Sequence, residues 1–511
     1  MTYTQSSFDL HQGEIASIAK GAGTIFFGTI VGVGLKYLFE LVVAKELGAE
    51  LFGVFFWGFT IFKILERLAT LGLNNGVLRF VSLYRGENDQ SRIKGTVILS
   101  LKAVLLAGSF LAAGLIVFSS KISSQFFPGM NIDPLLIVFA LGVVFTGMTE
   151  ILVFSTQAFQ IMTYKVLVRR IIEPGISLIL LIIFLLLGWQ IFGAALAFLI
   201  ATVIGTLFAF LFMHKVIPYM TRTPPHSIFE TKKIISFSWP LFFVGFFDLV
   251  NNYINTLMLG YFKTAAEVGI YGATWRTAFI IPIVLESFNS IFAPIISDLF
   301  NRNEKKRLED IFKVVARWIF TVSLPVTILM IFFSRNILSL WGPEYTLGAA
   351  SLIIISIAQL INCTTGSVGF LLMMTGHTRI NLINNFVGLC ATITLNLLLI
   401  PKYGVLGAAL SLATVIAIIN ITRLVEVYIL FKIHPYRVQF YKPIASAAAA
   451  FLILLFGSRL LQGLPHVLLT IALGSLLFLG VYILGLFLLG LDEEDRIILI
   501  KIKERVMIEK K

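Results

Sequence analysis

Apolar residues run along this chain in long blocks separated by short polar stretches that hold most of the charges. Each block is close to the ~20 residues that carry an α-helix across a bilayer. The blocks fall at roughly 17–44, 51–75, 94–118, 134–157, 165–188, 190–214, 235–261, 268–297, 311–333, 347–374, 380–400, 403–430, 442–461 and 466–490. Backbone N–H and C=O groups find no water in lipid, so a spanning segment must be a helix or part of a closed barrel. The polar–apolar alternation of a barrel strand is absent. The pattern predicts an all-α polytopic membrane protein of about 14 transmembrane helices. The first block is long and carries Lys36 and Glu40 behind a polar, mixed-charge start, so it reads as a retained span rather than a cleavable leader.

Composition agrees. The chain is 58% hydrophobic and 13% charged, whereas soluble domains sit near ~45–50% and ~25%. The net charge of +13 could point to nucleic acid, but no Lys/Arg stripe interleaved with aromatics occurs in a polar segment. The basic residues collect instead in alternate connections. On the side of the N-terminus lie Arg79, Arg85, Arg92, Lys94, Lys165, Arg169, Arg170, Lys215, Arg222, Lys232, Lys233, Arg302, Lys305, Lys306, Arg307, Lys313, Arg379, Lys432, Arg437 and Lys442, twenty in all. The other side has six: Lys45, Lys121, Lys263, Arg335, Lys402 and Arg459. The positive-inside rule then predicts a plasma-membrane protein with both termini in the cytoplasm, its basic loops facing anionic lipid. Cys363 and Cys390 both fall inside predicted spans and form neither a disulfide framework nor a metal motif.

The chain also matches itself. Gly48-Ala49-Glu50-Leu51-Phe52-Gly53-Val54-Phe55 aligns with Thr264-Ala265-Ala266-Glu267-Val268-Gly269-Ile270-Tyr271 at a shift of 216. Gly193-Ala194-Ala195-Leu196 recurs as Gly407-Ala408-Ala409-Leu410 at a shift of 214. Near-constant shifts in elements of matching topology indicate a duplicated six-helix unit, an architecture in which transporters carry substrate between the halves. The predicted organisation is an N-terminal six-helix lobe (1–215), a proline-broken linker (216–233), a second six-helix lobe (234–432), two additional helices (433–491) and an interfacial tail (492–511).

Ala44-Lys45-Glu46-Leu47-Gly48, Phe52-Gly53-Val54-Phe55, Leu71-Gly72-Leu73 and Arg79-Phe80 resemble the first helix pair of the polysaccharide transporters. These are the Wzx-type flippases of lipid-linked oligosaccharides, in the multidrug/oligosaccharidyl-lipid/polysaccharide (MOP) exporter superfamily. Ser236-Phe237-Ser238-Trp239-Pro240-Leu241, Leu257-Met258-Leu259-Gly260 and Val268-Gly269-Ile270-Tyr271 resemble that family's seventh and eighth helices. The resemblance covers most of the chain and implies two six-helix lobes in a V shape, plus two C-terminal helices. It departs at Asn255, where many relatives carry Asp, so a coupling or gating role of that acid is not carried over.

Ionisable groups inside spans supply the candidate chemistry, because each costs about 2.5–3.5 kcal/mol or more at mid-bilayer. Lys20, Lys102, Arg169, Arg170, Arg317, Arg423 and Glu426 lie close enough to a span end to read as snorkelling or structural. Lys63 is deeper, with Glu66 and Arg67 at i+3 and i+4 on the same face. Arg276 lies within a turn of the repeat equivalent of Lys63, and Lys36 maps onto Asn252, beside Asn251. The predicted substrate-binding set is therefore Lys36, Lys63, Arg67, Asn251, Asn252 and Arg276, converging on a cationic, polar cavity. Glu66, Asp248 and Glu286 are the candidate coupling or gating acids. The plainer alternative for Lys36–Glu40 and Lys63–Glu66 is a pair of closed ion pairs bracing helix packing.

A donor-rich cavity between apolar helices suits an anion with a hydrocarbon tail, since a bare pyrophosphate in lipid is prohibitively desolvated. Trp57, Trp275 and Tyr253 are candidate sugar contacts. The reading is a flippase that moves a polyprenyl-(pyro)phosphate-linked saccharide from the inner to the outer leaflet by alternating access. It needs no cofactor beyond a coupling ion, Na⁺ or H⁺, and no metal. Its partners are the lipid-linked saccharide and membrane lipids, with a monomer working beside polymerase or export proteins. No P-loop, HExxH or Cys-x-x-Cys points to an enzyme. The rivals are a multidrug/cation antiporter of the same superfamily, which wants an acidic cavity, and a structural membrane protein.

Overall fold

A computed structural model describes residues 3–220, 226–461, 466–490, 492 and 495; for 3–27, 244, 248, 290, 458, 460 and 461 it describes backbone only. The protein is all-α, and its described residues divide into two compact units, 1–272 and 273–511. The first unit holds α1 (Tyr3–Thr70), α2 (Leu73–Gly86), α3 (Gln90–Phe126), α4 (Asp133–Ala158), α5 (Thr163–Val166), a π turn (Leu167–Ile172), α6 (Glu173–Leu186), α7 (Gln190–Val216) and α8 (Thr231–Phe262). The division falls inside α9 (Ala265–Ala278). The second unit holds α10 (Ile283–Asn301), α11 (Lys305–Phe332), α12 (Ser334–Ser339), α13 (Ala349–Thr364), α14 (Val368–Met374), α15 (Thr378–Phe431), α16 (Tyr441–Leu461) and α17 (Val467–Leu488).

Among the described residues 9 helices are long and apolar enough to span, or 11 if two bent pairs each count as a span. The predicted fourteen are recovered once three merged or broken elements are resolved. α1 breaks at Gly48 (φ 76°, ψ 172°) and α15 at Gly404 (φ 54°, ψ −127°), so each carries two spans. Both breaks have a positive φ, which glycine tolerates at little cost. The third is the α5–π turn–α6 run, whose irregular start divides one span into pieces too short to cross alone.

The internal repeat has a physical counterpart. A Cβ built on Gly53 would sit 1.7 Å from the carbonyl oxygen of Ala265, and one on Gly269 would sit 2.1 Å from that of Ala49. Residue 49 thus meets 269 while 53 meets 265: the two copies of the motif touch each other reciprocally. Backbones approach this closely only where small residues face one another, the packing logic of helix pairs in membranes.

The last part of the predicted linker, from residue 226 onward, is tied to the first unit. Ile228 N–H donates to Ser91 O at 3.1 Å, and Gly95 leaves room for the Ile228 carbonyl, which a Cβ there would approach to 1.8 Å. Glu230 accepts from Tyr84 and from Lys233 (3.2 Å), pinning the start of α8 to α2.

In the second unit α16 and α17 pack on α11 through Phe320, Leu324, Ala447, Ala450, Phe478 and Tyr482, and Tyr482 OH donates to Thr321 O at 2.8 Å. The predicted interfacial tail is described only at Asp492 and Asp495, and both have protein partners. Arg317, 5% exposed, donates to Asp495 Oδ1 and Oδ2 at 2.7 and 2.8 Å and meets Asp492 at 2.6 Å. Trp318 Nε1 donates to Asp495 at 2.8 Å, and Lys442 reaches Asp492 at 2.5 Å. Burial works against the charge of Asp495. The hydrogen bonds from Arg317 and Trp318 outweigh it and hold its carboxyl below the usual carboxylate range.

Candidate functional site

The site begins with the face of α1. Gly28, Gly32 and Lys36 recur at i+4 spacing, so they share one side of the helix. A Cβ on Gly28 would lie 2.2 Å from Val166 Cγ1, and one on Gly32 2.6 Å from Arg170 O. Both numbers advance by four residues, so α1 and the α5–α6 run lie parallel and in register. The next turn therefore sets Lys36 beside Glu173-Pro174. Consistently, the charges that Lys36 feels include Lys63, Arg170, Glu173 and Arg169.

Pro174 accounts for the π turn. It has no N–H to bond the carbonyl of residue 170, and its ring would strike that carbonyl in a regular α-helix. The turn widens instead, and the Glu173 N–H bonds Val168 O, five residues back. Such single π turns recur at functional sites because they redirect side chains within a helix. Here the redirected side chains are two adjacent arginines.

Arg169 is held by three partners through its two terminal nitrogens. It pairs with Glu150 at 2.8 Å and Glu173 at 3.0 Å, and donates to Thr146 O at 2.9 Å. Gly205 of α7 makes room for the Glu173 carboxylate, whose Oε1 would lie 2.6 Å from a Cβ at that position. A guanidinium with two carboxylates and a carbonyl fits the requirement that a buried charge be both paired and hydrogen-bonded.

Of the two candidate ion pairs, Lys63–Glu66 forms, at 2.7 Å, with the ammonium also 5.2 Å from the Phe62 ring centre. Lys36 makes no ion pair with Glu40: among the described residues neither Lys36 nor Arg170 has an ion-pair partner. Arg67 points to α8, where a Cβ on Gly245 would lie 1.5 Å from Nη2. Two turns beyond Gly245 on the same helix lie Asn251 and Asn252, both half-buried. Asn255 is fully buried next to the Tyr271 hydroxyl, a packing position.

The predicted set is therefore brought together only in part. Lys36, Lys63 and Glu66 share one electrostatic cluster in the first unit, and Arg67 lies on the same helix face as Lys63. Arg276, 5.1 Å over the Trp275 ring, and the exposed Glu286 belong to the second unit. The side chain of Asp248 lies outside the described residues. Two of the candidate sugar contacts are core: Trp57 is 1% exposed against Phe126 and Phe127, and Trp275 is 6% exposed against Phe279. The cluster gains four residues not in the predicted set: Glu150, Arg169, Arg170 and Glu173. The i+4 spacing of Arg169 and Glu173, and the proline four residues after Arg170, are the sequence signals for them. Lys36, Lys63, Arg169 and Arg170 face Glu66, Glu150 and Glu173, so these seven groups of the first unit keep one positive charge in excess.

Known proteins share this fold and parts of this sequence. The profile of a family described as polysaccharide biosynthesis protein matches residues 18–300, and that of the MatE family matches 240–398. An uncharacterised membrane protein of Methanocaldococcus jannaschii is 24% identical over 92% of this chain and 94% of its own length. The probable low-salt glycan biosynthesis flippase Agl15 of Haloferax volcanii is 22% identical over 78% of this chain and 81% of its own. Among solved structures, the lipid II flippase MurJ in an inward closed conformation superposes with a TM-score of 0.68, at 16% identity, over 90% of this chain and 97% of that one. An inward-facing multidrug resistance MATE transporter gives 0.67 at 14% identity, covering 80% of this chain and 98% of that one. At these identities the structural likeness establishes the fold.

Proposed function

The chain belongs to the polysaccharide biosynthesis protein family, within the MOP superfamily, and on that premise we propose that it flips a lipid-linked saccharide joined through phosphate from the inner to the outer leaflet. The observation that carries this reading is the cluster of ionisable groups lodged among the spans of the first unit, with cations in excess. Such groups are costly in a bilayer and mark transport routes. An excess of cation suits a phosphate linkage, and the prenyl tail stays in lipid. The names of relatives, among them the Haloferax volcanii flippase and the capsular polysaccharide biosynthesis protein CapF of Staphylococcus aureus, support a glycan as the cargo.

The protein works as a transporter rather than an enzyme, in the plasma membrane with both termini in the cytoplasm, as a monomer serving polymerase or export proteins. Outward movement of an anion down an interior-negative potential gains about 2.3 kcal/mol per charge per 100 mV. Na⁺ or H⁺ coupling would use Glu66, Asp248 or Glu286. The test is reconstitution in vesicles with a fluorescent saccharide on a short prenyl phosphate, read by its accessibility in the outer leaflet. Flux that depends on the protein supports the reading; a folded protein without flux overturns it. The MatE match over 240–398 favours a second reading, cation or drug antiport, which dye efflux from the same vesicles would reveal.

A further inference from the structure

Within the cluster, the cations divide by how they are occupied. Lys63 is closed onto Glu66, and Arg169 is closed onto Glu150, Glu173 and Thr146 O. Lys36 and Arg170 have no ion-pair partner among the described residues. They arise from different helices and are brought together by two local devices. Gly32 lets α1 touch the backbone of residue 170 directly, and Lys36 stands one turn further along the same face. The π turn places Arg170 next to Arg169 in a widened turn, so that one guanidinium is anchored by acids while its neighbour is not. Lys36 is exposed although it lies deep among protein charges, and Arg170 is half-buried. Both cations therefore remain accessible, and each contributes charge to the other's surroundings.

We propose that Lys36 and Arg170 together form the phosphate-binding subsite of the first unit, with Arg169, clamped by Glu150 and Glu173, as the positioning residue that fixes the π turn. The ligand class is a phosphate ester. The ammonium supplies a point charge, and the guanidinium supplies a planar fork that takes two phosphate oxygens. Lys63, the deep lysine that the sequence singles out, is not a phosphate ligand in this scheme; it holds Glu66. The subsite rests on the flippase reading and specifies where that cargo's phosphate is gripped.

The experiment is equilibrium binding to the full-length protein in detergent, independent of flux. The probes are farnesyl phosphate, inorganic phosphate and farnesol. The expected result is binding of farnesyl phosphate, weaker binding of inorganic phosphate and none of farnesol. Lys36→Gln and Arg170→Gln should each weaken farnesyl phosphate by ten-fold or more, Arg170→Lys by much less, and Lys121→Gln, an exposed lysine of α3 outside the cluster, by under three-fold. Inorganic phosphate binding as tightly as farnesyl phosphate would place a free anion, not a lipid ester, at the subsite and overturn the ester assignment. Lys36→Gln is at an exposed position and leaves no buried group unpaired, so it remains informative if Arg170→Gln misfolds. Unchanged affinity in Lys36→Gln, or a Lys121→Gln loss as large as that of Lys36→Gln, overturns the subsite. Flux that persists while these variants bind normally would leave the flippase reading standing and remove only the subsite.

Discussion

Replacing Gly53 by Ala tests the closest backbone-to-backbone helix contact among the described residues of the first unit. The added methyl would lie 1.7 Å from the carbonyl oxygen of Ala265, about 1.3 Å inside the 3.0 Å below which real Cβ contacts essentially never fall. The obstructing atom is backbone in a helix, so it cannot swing aside, and α1 and α9 must separate locally. Overpacking of this kind costs typically about 1–3 kcal/mol, and the rigid obstacle puts this case near the top. At about 1.4 kcal/mol per decade, that is up to roughly a hundred-fold in the folding equilibrium. Gly269→Ala meets the Ala49 carbonyl at 2.1 Å and should cost slightly less. Once either methyl has opened the crossing, the other finds room, so the double variant should cost less than the sum of the singles, with a coupling of at least about 0.5 kcal/mol. The assay is unfolding of the detergent-solubilised protein by increasing sodium dodecyl sulfate, followed by tryptophan fluorescence. A Gly53→Ala midpoint equal to the parent's, or strictly additive costs, would refute the reciprocal contact.

The remaining charge networks give further expected outcomes. Arg317→Ala removes the partner of two acids at a buried site and should cost about 3–5 kcal/mol in the same unfolding assay; a loss below ~1 kcal/mol would show that Asp492 and Asp495 are not held there. Because the Asp495 carboxyl is held below its usual range, its contribution is fully present above about pH 4 and is lost as pH falls through the lowered value. Asp495→Asn should accordingly be less stable than the parent at pH 7, with the gap closing below about pH 4; a gap that is constant with pH would contradict the pairing. Pro174→Ala restores an N–H and removes the clash that widens the turn, so it should let 167–172 relax to α-helix and weaken farnesyl phosphate binding several-fold without lowering stability by more than ~1 kcal/mol. Unchanged binding in that variant would separate the π turn from the subsite.

Much of the architecture is legible because bilayer thickness imposes its own period on the sequence. Helix number, the two merged pairs and the repeat all reflect block length and glycine placement, and the Gly48 and Gly404 breaks fall where the apolar blocks divide. The site is legible in outline only. Depth along a span identifies Lys36 and Lys63, but not occupancy, because whether a charge is closed depends on acids arriving from other helices. Arg169 illustrates this: its place near a span end reads equally as snorkelling or structural, and it is Glu150 of α4 and Glu173 of α6, closing around it, that make it structural. The Asp492–Arg317 contact bridges distant parts of the sequence, and no local period announces it. Trp57 misleads for the opposite reason: an aromatic in a span carries no sign of which side faces a cavity, and this one faces Phe126 and Phe127.

The reciprocal meeting of residues 49 and 269 with 53 and 265 has a consequence for the history of the chain. When one surface patch touches its own copy, with i on j and j on i, the arrangement is that of an isologous two-fold dimer. The half-length ancestor implied by the repeat would have associated through this glycine, one gene supplying both sides. In such a dimer every substitution strikes twice, and no residue can be basic on one side only. Joining two such copies in one chain would remove that constraint. Here Lys36 has Asn252 as its repeat counterpart, a cation in one half where the other carries an amide, while the glycine crossing is the same on both sides.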